Sequence, residues 1–221
     1  MKRRSGFVAL MAMLAGCAAS PVPNTYVLNE PPEGSTGAIA AAAGAQILRL
    51  ERVLVPGYLD TTDIQWRVGS HRLQSSSTGR WGERLSAGIT HALRADLAAR
   101  LPALNVVQGA ENAPSALQVR IDVDDFDVWL DGHCLLIANW AILAHGGKAV
   151  LLSGRGTFAA PSMPNSSPGD AAIVGGMSAA LAELAARVAE AVTQFAATKP
   201  DMQGGRNDEP RGTGAQGSSG L

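Results

Sequence analysis

Leu117-Gln118-Val119-Arg120-Ile121-Asp122-Val123-Asp124-Asp125-Phe126-Asp127-Val128-Trp129-Leu130 is the stretch whose reading decides how this chain folds. Leu117, Val119, Ile121 and Val123 alternate with polar residues, the period of two that sets one strand face on a core and the other in water. At Asp124-Asp125 the apolar set changes parity and resumes at Phe126, Val128 and Leu130. Keeping both sets on one face requires an extra residue, so the slip predicts a β-bulge. Asp131-Gly132 then signals a hairpin turn. Cys134 to Ala144 is nearly continuous apolar, Gly146-Gly147 turns again, and Ala149 to Leu152 opens another strand, giving a three-stranded meander.

Outward from this meander, two helical stripes need a surface to bury. Trp81, Leu85, Ile89, Leu93, Leu97 and Leu101 recur every four residues up to Pro102, which predicts an amphipathic helix over 80–101. Ile173, Met177, Leu181, Leu184, Val188, Val192 and Phe195 form a second stripe, opened by a capping sequence at Ser167-Pro168-Gly169-Asp170. Upstream, Ile47 to Val55 reads as a strand ended by Pro56-Gly57, and Ile64–Val68 pairs with His71–Gln74 across Gly69-Ser70. The expected class is α+β: a mixed, largely antiparallel sheet with two amphipathic helices on one face.

The N-terminus carries an address. Lys2-Arg3-Arg4 and the apolar run Phe7 to Leu14 make a secretory signal too short to span a bilayer. Leu14-Ala15-Gly16-Cys17 resembles the bacterial lipobox, in which the cysteine sulfur takes lipid. Ala18 follows where inner-membrane retention is associated with Asp, so the resemblance implies an outer-membrane anchor facing the periplasm. The expected organisation is a lipoprotein signal over 1–16, a lipid-anchored linker with room for one short strand over 17–44, one domain over 45–197 and a Gly/Ser-rich disordered tail over 198–221.

Across all 221 residues, 18 Lys+Arg oppose 19 Asp+Glu for a net charge of −1, without the basic surplus of a nucleic-acid binder. His71, His91, His133 and His145 show no metal-ligand spacing, and no nucleophile elbow, P-loop or convincing dinucleotide turn is present, so no cofactor, metal site or catalytic residue is nominated. The run Asp122, Asp124, Asp125, Asp127 and Asp131 reads as a solvated strand face. Cys134 reads as a buried, inert thiol, with a link between two subunits as the alternative. Trp129, flanked by Asp127 and Asp131, falls on the polar parity after the bulge, where core packing and exposure at an interface are both open. The Pro56-Gly57 turn offers Tyr58, Leu59 and Asp60 to a partner, or lets the Tyr pack back on the sheet.

Together the lipobox, Thr25-Tyr26-Val27-Leu28, Val53 to Asp60, Ile64, Arg67 and Arg80-Trp81-Gly82-Glu83-Arg84-Leu85 resemble the PqiC-type (YmbA-type) ABC-transport auxiliary lipoprotein family over about residues 25 to 197. The chain departs from that pattern at Arg84, where Pro is frequent, and at Ser115-Ala116, where an Asp-Tyr pair often opens the long strand. The resemblance implies a non-catalytic outer-membrane lipoprotein that works with an MCE-domain protein and an inner-membrane ABC system moving lipids between membranes. Cys17 would be the lipidation site, Tyr58, Leu59, Asp60 and Trp129 the candidate partner contacts, and a homo-oligomer remains compatible. The alternatives from other classes are a lipid-anchored periplasmic hydrolase and a pilot lipoprotein of another envelope complex.

Overall fold

A computed structural model, which describes residues 22–28, 46–109, 117–144, 147–162 and 168–198, places a β-bulge where the apolar parity changes. The chain runs through β1 (Asn24–Tyr26), β2 (Gln46–Leu50), β3 (Asp63–Gly69) and β4 (Arg72–Trp81) to helix α1 (Leu85–Arg100). It continues through β5 (Leu104–Gln108), β6 (Leu117–Val128), β7 (Cys134–Ala144) and β8 (Ala149–Ala160) to helix α2 (Asp170–Thr198). On β6 the pairing with β7 skips from Val123 opposite Ala138 to Asp125 opposite Ile137, leaving Asp124 as the extra residue. Val119, Ile121, Val123, Phe126 and Val128 are thereby all buried.

The 11-residue β7 between the two hairpin turns makes β6, β7 and β8 an antiparallel meander, and β2 and β5 extend it in parallel to the order β5-β2-β6-β7-β8. The stripe from Ile173 to Val192 is buried, Phe195 is half-buried, and α1 and α2 pack together against this sheet. By length and composition alone α2 could cross a membrane, yet half of its apolar window is buried in the protein interior. A second sheet, in the order β1-β4-β3, sits beside the first, and its strand β1 is the short strand allowed for in the linker.

Several boundaries differ from the sequence reading. Arg80 and Trp81 end β4 instead of opening α1, because Trp81 donates its N–H to the Thr62 carbonyl and stands opposite Tyr26. Trp81 is buried from a strand, so its four-residue spacing to Leu85 is a coincidence of two elements sharing one core. After Leu50 the chain leaves regular β2 but stays on β6, with Glu51 and Leu54 donating to Val119 and Ile121 and Val123 donating back to Leu54. Leu130 lies in the turn and is exposed, β4 and β8 run longer than expected, and β5 went unread. Helix α2 starts at Asp170, since Gly169 has φ +152° and donates its N–H to Leu130. Ser167, His145, the signal, Cys17 and the tail lie outside the described residues.

Glycine is required where α2 crosses the β6–β7 turn. Gly132 has φ +82°, and a Cβ there would stand 2.6 Å from the Ala172 carbonyl oxygen. A Cβ on Gly176 would overlap the Gly132 carbonyl oxygen. Gly to Ala inside a helix ordinarily gains up to about 1 kcal/mol. At Gly176 the sign reverses: Gly176→Ala is expected to lose about 1–3 kcal/mol through overpacking, read as a lower midpoint of urea unfolding.

Candidate functional site

The Pro56-Gly57-Tyr58-Leu59-Asp60 segment closes as a turn, with the Leu59 N–H donating to the Pro56 carbonyl at 2.9 Å. Its three candidate residues part company there. Leu59 is only 7% exposed and belongs to the core, whereas Tyr58 is 47% exposed, and Leu54, four residues earlier and bridged to Asp122 of β6, is exposed as well. Tyr58 donates its hydroxyl to Asp125 Oδ1 at 3.4 Å. Partial burial, with Asp125 and Asp127 adding their negative charge, raises the Tyr58 hydroxyl above its ordinary pKa.

Asp60 organises α1 from outside the helix. The cap residue Arg84 makes no side-chain cap bond, so the first-turn amides need other acceptors. Leu85 donates to the Thr61 carbonyl, Ser86 to Asp60 Oδ1 at 3.0 Å, and Ala87 and Gly88 to the Arg84 carbonyl. Burial alone would raise the Asp60 carboxyl, but the bonds from Ser86 and the charges of Arg84 and Arg52 outweigh it and hold the group below its ordinary pKa.

The bulge turns Asp125 and Asp127 toward β3 and the Tyr58 loop. Arg67 pairs with Asp127 and also donates to the Ser70 carbonyl at 3.0 Å, tying the second sheet to the first. The other acidic residues are engaged in the manner of a solvated strand face. Asp124 pairs with Arg155 at 2.9 Å and accepts from Asn139, Arg120 pairs with Glu51, and Asp131 accepts from the His133 N–H. Trp129 is half-buried and stacks on His133 with ring centroids 4.6 Å apart. Structure thus brings Tyr58, Asp125, Asp127 and Arg67 together, while Trp129 pairs instead with His133. Asp125 and Arg67 were missed as neighbours of Tyr58, although the parity slip already implied that Asp125 and Asp127 lie on the polar face with Arg120 and Asp122.

Cys134 is free and buried, and burial, with Asp127 adding to it, pushes its pKa up to about 12. That leaves little thiolate at neutral pH. His91 bonds Glu83 at 2.8 Å and His133 stacks on Trp129. Among the described residues no group of three His, Cys, Asp or Glu could hold a metal ion. What the arrangement offers is an exposed aromatic and an aliphatic beside carboxylates, a surface suited to recognition.

A family model for the ABC-type transport auxiliary lipoprotein component matches residues 26–189. The chain is 25% identical over 138 residues to the intermembrane transport lipoprotein PqiC of Escherichia coli K12, covering 62% of this chain and 72% of that protein. The PqiC of Shigella flexneri matches at the same 25% over 138 residues, with the same coverage of 62% and 72%. Among solved structures, an uncharacterised protein shares the fold at TM-score 0.60 and 17% identity, covering 78% of this chain and 99% of that one. A Xanthomonas campestris protein does so at TM-score 0.55 and 17% identity, covering 69% and 86%.

Asp60→Ala is expected to cost about 1 kcal/mol at pH 7, the worth of a helix cap. Because the folded pKa is lowered, this contribution is present above the unfolded value and is lost as pH falls through the folded one. Urea midpoints of wild type and variant should therefore differ at pH 7 and converge below about pH 4.

Proposed function

The chain belongs to the ABC-type transport auxiliary lipoprotein component family, and on that premise we propose that it is the outer-membrane lipoprotein of an intermembrane lipid transport system. As an auxiliary component of that family it is a non-catalytic lipoprotein of the cell envelope. In this reading Cys17 carries the acyl chains and the folded domain receives the outer-membrane end of an MCE-domain assembly coupled to an inner-membrane ABC system.

The observation that carries the reading is the extent of the match: residues 26–189 run from β1 into α2, and so include both sheets and the turn that bears Tyr58. The curated relative's name, intermembrane transport lipoprotein, supports the same process. Two or more acyl chains give stable attachment, which suits a holding role. Recognition falls to the Leu54–Tyr58 patch, with Asp125 beside it to favour a partner that presents a cation next to an apolar socket. Leu59 and Asp60 contribute indirectly, one by packing the loop and the other by fixing it to α1.

The test is co-purification from envelope extract with the acylated chain. Wild type should recover an MCE-domain component, and Tyr58→Ala, with an unchanged Tm, should weaken that recovery by about 30-fold in affinity if the Tyr is a hot spot worth about 2 kcal/mol. Full recovery with a folded Tyr58→Ala would reject this patch as the contact. No MCE component with wild type would reject the function.

A further inference from the structure

If Cys17 carries the anchor, as proposed above, the tether is short. Five peptide units separate Cys17 from Val22, a reach of at most about 18 Å at 3.3–3.6 Å per residue. Asn24, two residues later, is already opposite Gly79 in the β1–β4 pair. The segment read as a linker over 17–44 therefore meets the folded body near its own beginning, and the body cannot stand far from the lipid.

The side that meets the lipid follows from the bonds around that entry. Because β1 runs parallel to β4, the chain enters β1 from the side of the β3–β4 turn. Thr78, next to Gly79, donates its hydroxyl to Asp170 at 2.8 Å, and Gly169 donates to the Leu130 carbonyl at 2.9 Å. The β6–β7 turn is thus joined to the β1 entry through the start of α2. Arg67 ties the β3–β4 turn to Asp127, just before the same β6–β7 turn.

This side has the chemistry of a bilayer interface. Val22 is 89% exposed and Leu130 39% exposed. Trp129 is half-buried with its ring on His133, and Arg72 is exposed and makes no ion pair among the described residues. Apolar residues, a Trp and an Arg suited to phosphate are what a headgroup layer accommodates.

We propose that the domain lies against the membrane that holds its acyl chains, with Val22, Arg72, Trp129 and Leu130 turned to the phospholipid headgroups. The opposite end of the five-stranded sheet, where Leu143 pairs with Val150, then points into the periplasm.

The experiment uses the acylated full-length chain in phosphatidylethanolamine/phosphatidylglycerol vesicles. A nitroxide is placed at Leu130→Cys, at Val22→Cys as a second reporter, or at Val150→Cys as the distal reference. Cys134, buried and poorly ionised, should escape labelling. Vesicle flotation that depends on Cys17 establishes the anchor. The labels at 130 and 22 should then collide with a water-soluble nickel complex several-fold less often than the label at 150. Equal accessibility at all three sites in floated protein would overturn the proposal while leaving the anchor intact. So would shielding at 130 that arises only on adding the MCE component, since the patch would then be a protein contact. Wild type that fails to float, or Cys17→Ser that floats as well, would remove the anchor and this orientation together.

Discussion

The first turn of α2 is the joint on which both sheets depend. Within Gly169 to Gly176 the chain donates an N–H to Leu130, accepts the Thr78 hydroxyl on Asp170, and brings Gly176 against the Gly132 carbonyl. Two of these contacts reach the β6–β7 turn and the third reaches β4. The turn between β6 and β7, the strand β4 with its neighbour β1, and the helix axis are located relative to one another at this place. Asp170 is only 9% exposed, and a buried carboxylate is tolerable there because a helix N-terminus offers positive potential and Thr78 supplies a donor.

Much of the larger sheet was legible because its signals are local. The period of two through β6, the parity slip at Asp124-Asp125 and the turn residues at Asp131-Gly132 are each decided within a few positions. The α2 stripe was legible for the same reason, since seven apolar residues at helical spacing have few other uses. The second sheet was not legible as such. Its β1–β4 pair joins residues 24–26 to 79–81, and three residues carry too little pattern to announce a partner so distant. Trp81 misled because a strand end and a helix start bury into one core, so the spacing of four was correct as burial and wrong as secondary structure.

The candidate surface was legible in part. Pro56-Gly57 marked the turn, and Tyr58 does stand exposed on it. That Asp60 caps α1 could not be read, because it depends on the first-turn amides of a helix whose cap residue, Arg84, supplies no side-chain acceptor, and Leu59 packs inward on a core assembled from distant elements. The acidic run gained its meaning only from its partners Arg67, Tyr58 and Arg155, contributed by three other elements. A charged ladder on the open face and one aromatic–aliphatic spot at its rim fit a component that recognises and holds. Family membership supplies the transport context that no single side chain states.

A holding role requires the strand nearest the anchor to be part of the same body as the recognition surface, and Asp170 is the residue that joins them. Native-state hydrogen exchange of Asp170→Ala, compared with wild type, tests this most directly. The account predicts that amides of β1 and of the Gly79–Trp81 end of β4 lose protection well before those of β6 and β7. Unchanged protection in β1 and β4, or an equal loss in every strand, would contradict it.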